Sequence, residues 1–174
     1  MEDYAYKIAG NFEIESFDYS YIKNVSVKNG TLFLKIDGFY LWEIGEKAPR
    51  YPVKEDCLLV LEHFTVTDEQ AYAELQGAER LKEMEEYAAS LGIRLHLPFE
   101  EFLGSTNVEV QGFDIHWDNR SITIDGYDGS QRAAIWVGMT FQFDRITAYW
   151  KKELDGSNSW LFGTARTISG EESE

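Results

Sequence analysis

Ile22-Lys23-Asn24-Val25-Ser26-Val27-Lys28-Asn29-Gly30-Thr31-Leu32-Phe33-Leu34-Lys35-Ile36 is the stretch whose reading decides the fold class. Ile22, Val25 and Val27 lead into Asn29-Gly30, a pair that tolerates positive φ at both central positions of a tight hairpin. Thr31-Leu32-Phe33-Leu34-Lys35-Ile36 then reads as the return strand. Asp37-Gly38 predicts a break, and Phe39-Tyr40-Leu41-Trp42 opens another extended segment. Residues 46–52, with Pro49 and Pro52, read as an exposed loop. Cys57-Leu58-Leu59-Val60-Leu61 is apolar at every position, which predicts a strand covered on both faces.

Residues 108–110 and 113–117 are strand-like. Asp118-Asn119-Arg120 turns the chain into Ser121-Ile122-Thr123-Ile124, and Asp125-Gly126-Tyr127-Asp128-Gly129-Ser130 reads as a loop of turn formers. Residues 134–150 hold one long or two short strands with Phe141, Phe143, Ile146 and Ala148 facing inward. One segment departs from this pattern. Thr67 and Gln70 match a capping box, and Tyr72, Leu75, Ala78, Leu81, Met84, Ala88 and Leu91 recur at helical spacing. Gly92 is a natural stop, so a helix is predicted over 68–91, with Glu74, Glu79, Glu83 and Glu86 on its solvated side. A short strand over 93–97 and an irregular run over 98–107 follow.

The fold class is therefore α+β, mainly β, with antiparallel sheets in a sandwich or partly open barrel and one long helix linking two β-rich halves. Ile36-Asp37-Gly38-Phe39 and Ile124-Asp125-Gly126-Tyr127 each close a hairpin, which raises an internal repeat. Residues 1–168 read as a single domain and 169–174 as an acidic disordered tail.

The chain carries 16 Lys plus Arg against 31 Asp plus Glu, a net charge of −15. Such a surface repels phosphate backbones and anionic lipid, so nucleic acid and membrane are excluded as expected partners and a basic protein is favoured. Charge that serves solubility alone is the plain alternative. The single cysteine, Cys57, permits no internal disulfide and points to a cytoplasmic setting, with the thiol buried in its strand. No apolar run approaches the roughly 20 residues that span a bilayer.

Recognisable chemistry is sparse. His63, His96 and His116 lack zinc-site spacing, and the acids around Asp125 and Asp128 do not follow the alternate-ligand pattern of a calcium loop. No metal or cofactor is expected, and no catalytic residue is assigned. Tyr19, Tyr21, Tyr40, Trp42, Trp117, Trp136, Tyr149, Trp150 and Trp160 serve either as core filling or as a stacking platform for sugars. The expected binding surface joins Trp42, Glu43 and Glu46 to Asp125, Tyr127 and Asp128, because aromatics anchor an interface and acids steer a basic partner.

Phe17-Asp18-Tyr19-Ser20-Tyr21-Ile22 with Leu32-Phe33-Leu34-Lys35-Ile36-Asp37 resembles the start of small bacterial immunity-type proteins, which are encoded beside polymorphic toxins. Met139-Thr140-Phe141-Gln142-Phe143-Asp144 and Ile146-Thr147-Ala148-Tyr149-Trp150 are similar to the closing strands of that group. The resemblance implies a non-enzymatic module that neutralises a basic toxin by binding it. The alternatives from residues alone are a carbohydrate- or small-molecule-binding β domain, and a hydrolase whose acids meet only in the fold.

Overall fold

The computed structural model describes residues 4–16, 20–45, 53–68, 78–92, 97–128 and 135–154. Its strands are β1 (Tyr6–Ala9), β2 (Phe12–Glu15), β3 (Tyr21–Lys28), β4 (Thr31–Glu43), β5 (Val53–Glu62), β6 (Thr65–Asp68), β7 (Val108–His116), β8 (Ser121–Asp128), β9 (Ile135–Gln142), β10 (Arg145–Trp150) and β11 (Lys152–Leu154). Helix α1 spans Ala78–Ser90 and the single turn α2 spans Phe99–Phe102.

The quoted hairpin forms as its sequence dictates. Asn29 and Gly30 take φ of 52° and 72°, and Val25, Leu32, Leu34 and Ile36 are buried, with Phe33 and Lys35 on the outer side, while Val27, in phase with Val25, is exposed near the turn. All described strands join one large antiparallel sheet in the order β1-β10-β5-β4-β3-β7-β8-β9-β6, with β11 added to β5 and β2 to β4. The chain bends at His63-Phe64 between β5 and β6, and at Phe143-Asp144 between β9 and β10. Because β5 pairs with β10 while β6 pairs with β9, the sheet doubles over a single core.

The pairings relate β3–β6 to β7–β10 by an approximate two-fold axis through the Tyr21–Glu109 pair. At the first corner the Phe64 N–H donates to the Gly30 carbonyl, and at the second the Phe143 N–H donates to the Arg120 carbonyl. Leu32 faces Leu61 as Ile122 faces Phe141, and Leu34 faces Leu59 as Ile124 faces Met139. Both hairpins carry a bulge at the same place, between Ile22 and Asn24 and between Val110 and Gly112. The repeated Ile-Asp-Gly lies two residues out of this register, since Gly126 occupies the position of Ile36.

Several expectations are corrected. Asp37-Gly38 does not interrupt β4, and Asp125 to Asp128 is strand rather than loop. The bulges explain this: the extra residue on β7 pushes its backbone against β8, and a Cβ at Gly126 would collide with the Glu109 carbonyl oxygen. Glycine is therefore needed at 126 for close approach. Thr67 and Asp68 belong to β6, where the Thr67 hydroxyl donates to the Thr140 carbonyl (3.2 Å), so the helix does not begin at 68; Gln70 lies outside the described residues. The long helix linking the halves is not shown among the described residues, where the predicted helix is seen over the 13 residues of α1. It stops at Gly92 (φ 70°) as expected, with Ala88 buried and Glu79, Glu83 and Glu86 exposed, but Leu91 is exposed rather than inward. The irregular run contains α2, whose Phe99 and Phe102 pack on Phe141 at the corner, and Phe99 also packs on Phe64. Leu97 is buried but outside any strand.

Phe141, Phe143, Ile146 and Ala148 are buried as predicted, in the two strands β9 and β10 and the corner joining them. Cys57 is fully buried, and burial pushes its thiol far above the ordinary range. In β5 Val60 is buried and Leu58 half-buried on the outer side. The loop over 46–52, Tyr72, Glu74 and Leu75 of the predicted helix, residues 93–96, the turn at 129–130 and the tail over 169–174 lie outside the described residues. No helix among the described residues is long and apolar enough to cross a membrane.

Candidate acidic docking face

Phe12-Glu13-Ile14-Glu15 alternates apolar and acidic residues, and Phe12 and Ile14 are buried. Glu13 and Glu15 consequently face outward, opposite Trp42 and Tyr40 of β4. Beyond β4, β2 runs beside β7: the Ser16 hydroxyl donates to the Gln111 carbonyl (2.7 Å), and Trp117 Nε1–H donates to the Phe12 carbonyl (3.1 Å). On β7 and β8 the buried residues Ile115, Ile122 and Ile124 set the phase. Asp114, opposite Thr123, and Asp125, opposite Gly112, therefore lie on the outer face with His116. His116 Nε2 stands 3.1 Å from Asp114 Oδ2, and the Thr123 and Thr140 hydroxyls meet at 2.9 Å.

Glu13, Asp114 and Asp125 thus share a face. Partial burial is the main cause that raises the Glu13 carboxyl above its ordinary 4.5, followed by the negative charge of Asp114, with His116 opposing. The Asp125 carboxyl rises above 3.8 for the same leading reason; hydrogen bonds from the backbone at 125 and 112 pull it down, and Asp114 adds to the rise. Asp125 Oδ1 is buried with no hydrogen-bond partner. Asp114 itself is open to solvent, its side chain 70 % exposed. Among the described residues no group of three or more His, Cys, Asp or Glu is arranged to hold a metal ion.

Of the residues expected at the surface, Trp42 is half-buried opposite Glu13 and Glu43 is exposed at the end of β4. Asp125 is half-buried and Tyr127 is exposed opposite Glu109. Asp128 is buried, at 3 % exposure, unlike the exposed Tyr127 beside it. Glu46 lies outside the described residues. Trp42 and Asp125 are connected through Glu13 and Asp114, neither of which the sequence reading named. The signal for Glu13 was the Phe-Glu-Ile-Glu alternation, and for Asp114 and His116 their two-residue spacing on one strand. No protein-family model, curated protein or solved structure matches this chain.

Proposed function

We propose that the protein is a non-enzymatic binding module that docks a basic protein on its acidic face, in the manner of an immunity protein neutralising a basic toxin. The observation that supports this is the placement of Glu13, Asp114 and Asp125 on one sheet face, beside Trp42. Beyond the effect of burial, the negative charge of Asp114 raises the carboxyls of Glu13 and Asp125, an unfavourable like-charge energy that a docking cation relieves. The sheet beneath them is rigid, so little ordering cost attaches to binding.

The rival readings fit less well. A hydrolase needs its acids in an enclosed site, whereas Asp114 and His116 stand open. A sugar platform needs exposed rings, whereas Trp150 is buried and Trp117 is half-buried and committed to the Phe12 carbonyl.

The test is capture from host lysate at physiological salt, followed by association kinetics with the purified partner. The double variant Glu13→Lys/Asp114→Lys should slow association about tenfold or more. Trp42→Ala should mainly speed dissociation, by an amount equivalent to about 2 kcal/mol. Kinetics unchanged in both variants, or capture of sugar or nucleic acid alone, would refute the reading.

A further inference from the structure

Equivalent positions in the two halves carry opposite charge. Lys35 sits opposite Asn24 beside the bulge of β3, where the second half has Asp125 opposite Gly112. Around Lys35 the outer face of β3, β4 and β5 is hollowed into a groove of about 600 Å³. Phe33 and Leu58, both half-buried, form its apolar floor; Lys23 and Lys35 flank it; Asn24 and Ser26 are exposed along one side; Tyr4 closes it. Tyr4 is held by its ring contact with Tyr149 (5.8 Å) and by Lys151, whose Nζ lies 5.6 Å from the Tyr4 ring centroid. Lys23 is fixed by Asp37 (3.1 Å) and Asn107 (3.2 Å). The lining holds two cations, of which Lys23 is ion-paired with Asp37, in a chain of net charge −15.

We infer that this groove binds a small amphipathic anion, with a carboxylate or sulfonate head on Lys35 and an aromatic or aliphatic body on Phe33 and Leu58. The volume is that of a small-molecule site. Charge decides between a small occupant and an acidic protein. An acidic macromolecule meets the repulsion of the whole chain, whereas a monoanion beside Lys35 responds first to that lysine, because acids farther than about 8 Å are screened. The inference is independent of the acidic-face reading, because the groove and that face share no lining residue.

The test uses the dye 1-anilinonaphthalene-8-sulfonate on the full chain, with decanoate and decanol as competitors. One dye should bind saturably and be displaced by decanoate at concentrations where decanol does little. Lys35→Gln should weaken binding about tenfold, the size of a lost charge-assisted contact, while Lys35→Arg keeps it. Ser26→Trp, at an exposed position on the groove's side, should abolish binding without moving the melting temperature. Equal displacement by decanol, unchanged affinity in Lys35→Gln, or full binding in Ser26→Trp would overturn the inference. Displacement of the dye by polyglutamate but not by decanoate would assign the groove to an acidic chain and overturn it equally.

Discussion

Gly126 is the residue at which the backbone of β8 comes too close to β7 for any side chain, and the obstacle is the backbone carbonyl of Glu109 rather than a flexible group. Gly126→Ala should therefore destabilise the fold by roughly 2–3 kcal/mol in urea unfolding, as overpacking does. Gly104→Ala, whose Cβ would meet the Glu101 carbonyl oxygen at an ordinary 3.4 Å, should stay within about 0.5 kcal/mol. A pH effect resides at Asp125 of β8, beside Gly126, and at Glu13 of β2. The folded carboxyls of Glu13 and Asp125 are raised, so the folded state holds more protons than the unfolded one between the ordinary values of 4.5 and 3.8 and the raised ones. Their contribution to stability accordingly grows as pH falls through the raised values and is complete below the ordinary ones. Glu13→Gln with Asp125→Asn should stabilise the protein at pH 7 and flatten that part of the profile, which denaturant titrations at several pH values would read. The letters Asp125-Gly126 did not disclose this role, because a glycine that permits a turn and a glycine that permits close approach are the same residue.

At the scale of elements, the hairpins were legible because alternation and Asn29-Gly30 are local signals, and the inward set of 134–150 followed from the same two-residue period. The start of the helix was not. Thr67 and Gln70 have capping spacing, but Thr65 and Val66 are already paired with Gln142 and Phe141, partners far along the chain that local sequence cannot announce. The repeat was glimpsed through an Ile-Asp-Gly match in the wrong register, while the structural equivalence lies in cross-strand partners. The turn α2 was hidden in an irregular run, although it closes the core at the bend: Phe102 is fully buried and its ring lies 6.3 Å from that of Phe141. Phe102→Ala should cost about 3–5 kcal/mol, and Phe102→Leu distinctly less, in equilibrium unfolding. Equal and small losses for both would mean that α2 lies on the core without completing it.

Over the whole molecule, folding and the proposed docking place opposite demands on one set of acids. With 31 acidic residues against 16 basic ones, the native state repels itself, and the repulsion concentrates where Glu13, Asp114 and Asp125 share a face. Added salt screens that repulsion, so stability should rise between about 10 mM and 150 mM monovalent salt as the Debye length contracts from about 30 Å to about 8 Å. The same screening should slow association with a basic partner. The neutral double variant Glu13→Gln/Asp114→Asn separates the two effects. It should gain stability at low salt, lose most of its salt-dependent stabilisation at this face, and associate more slowly than the parent, with dissociation changed less. Paired measurements of unfolding and of association rate across one salt series would decide the matter. A variant that gains stability yet associates as fast as the parent would show that these acids serve solubility alone and that the docking face lies elsewhere.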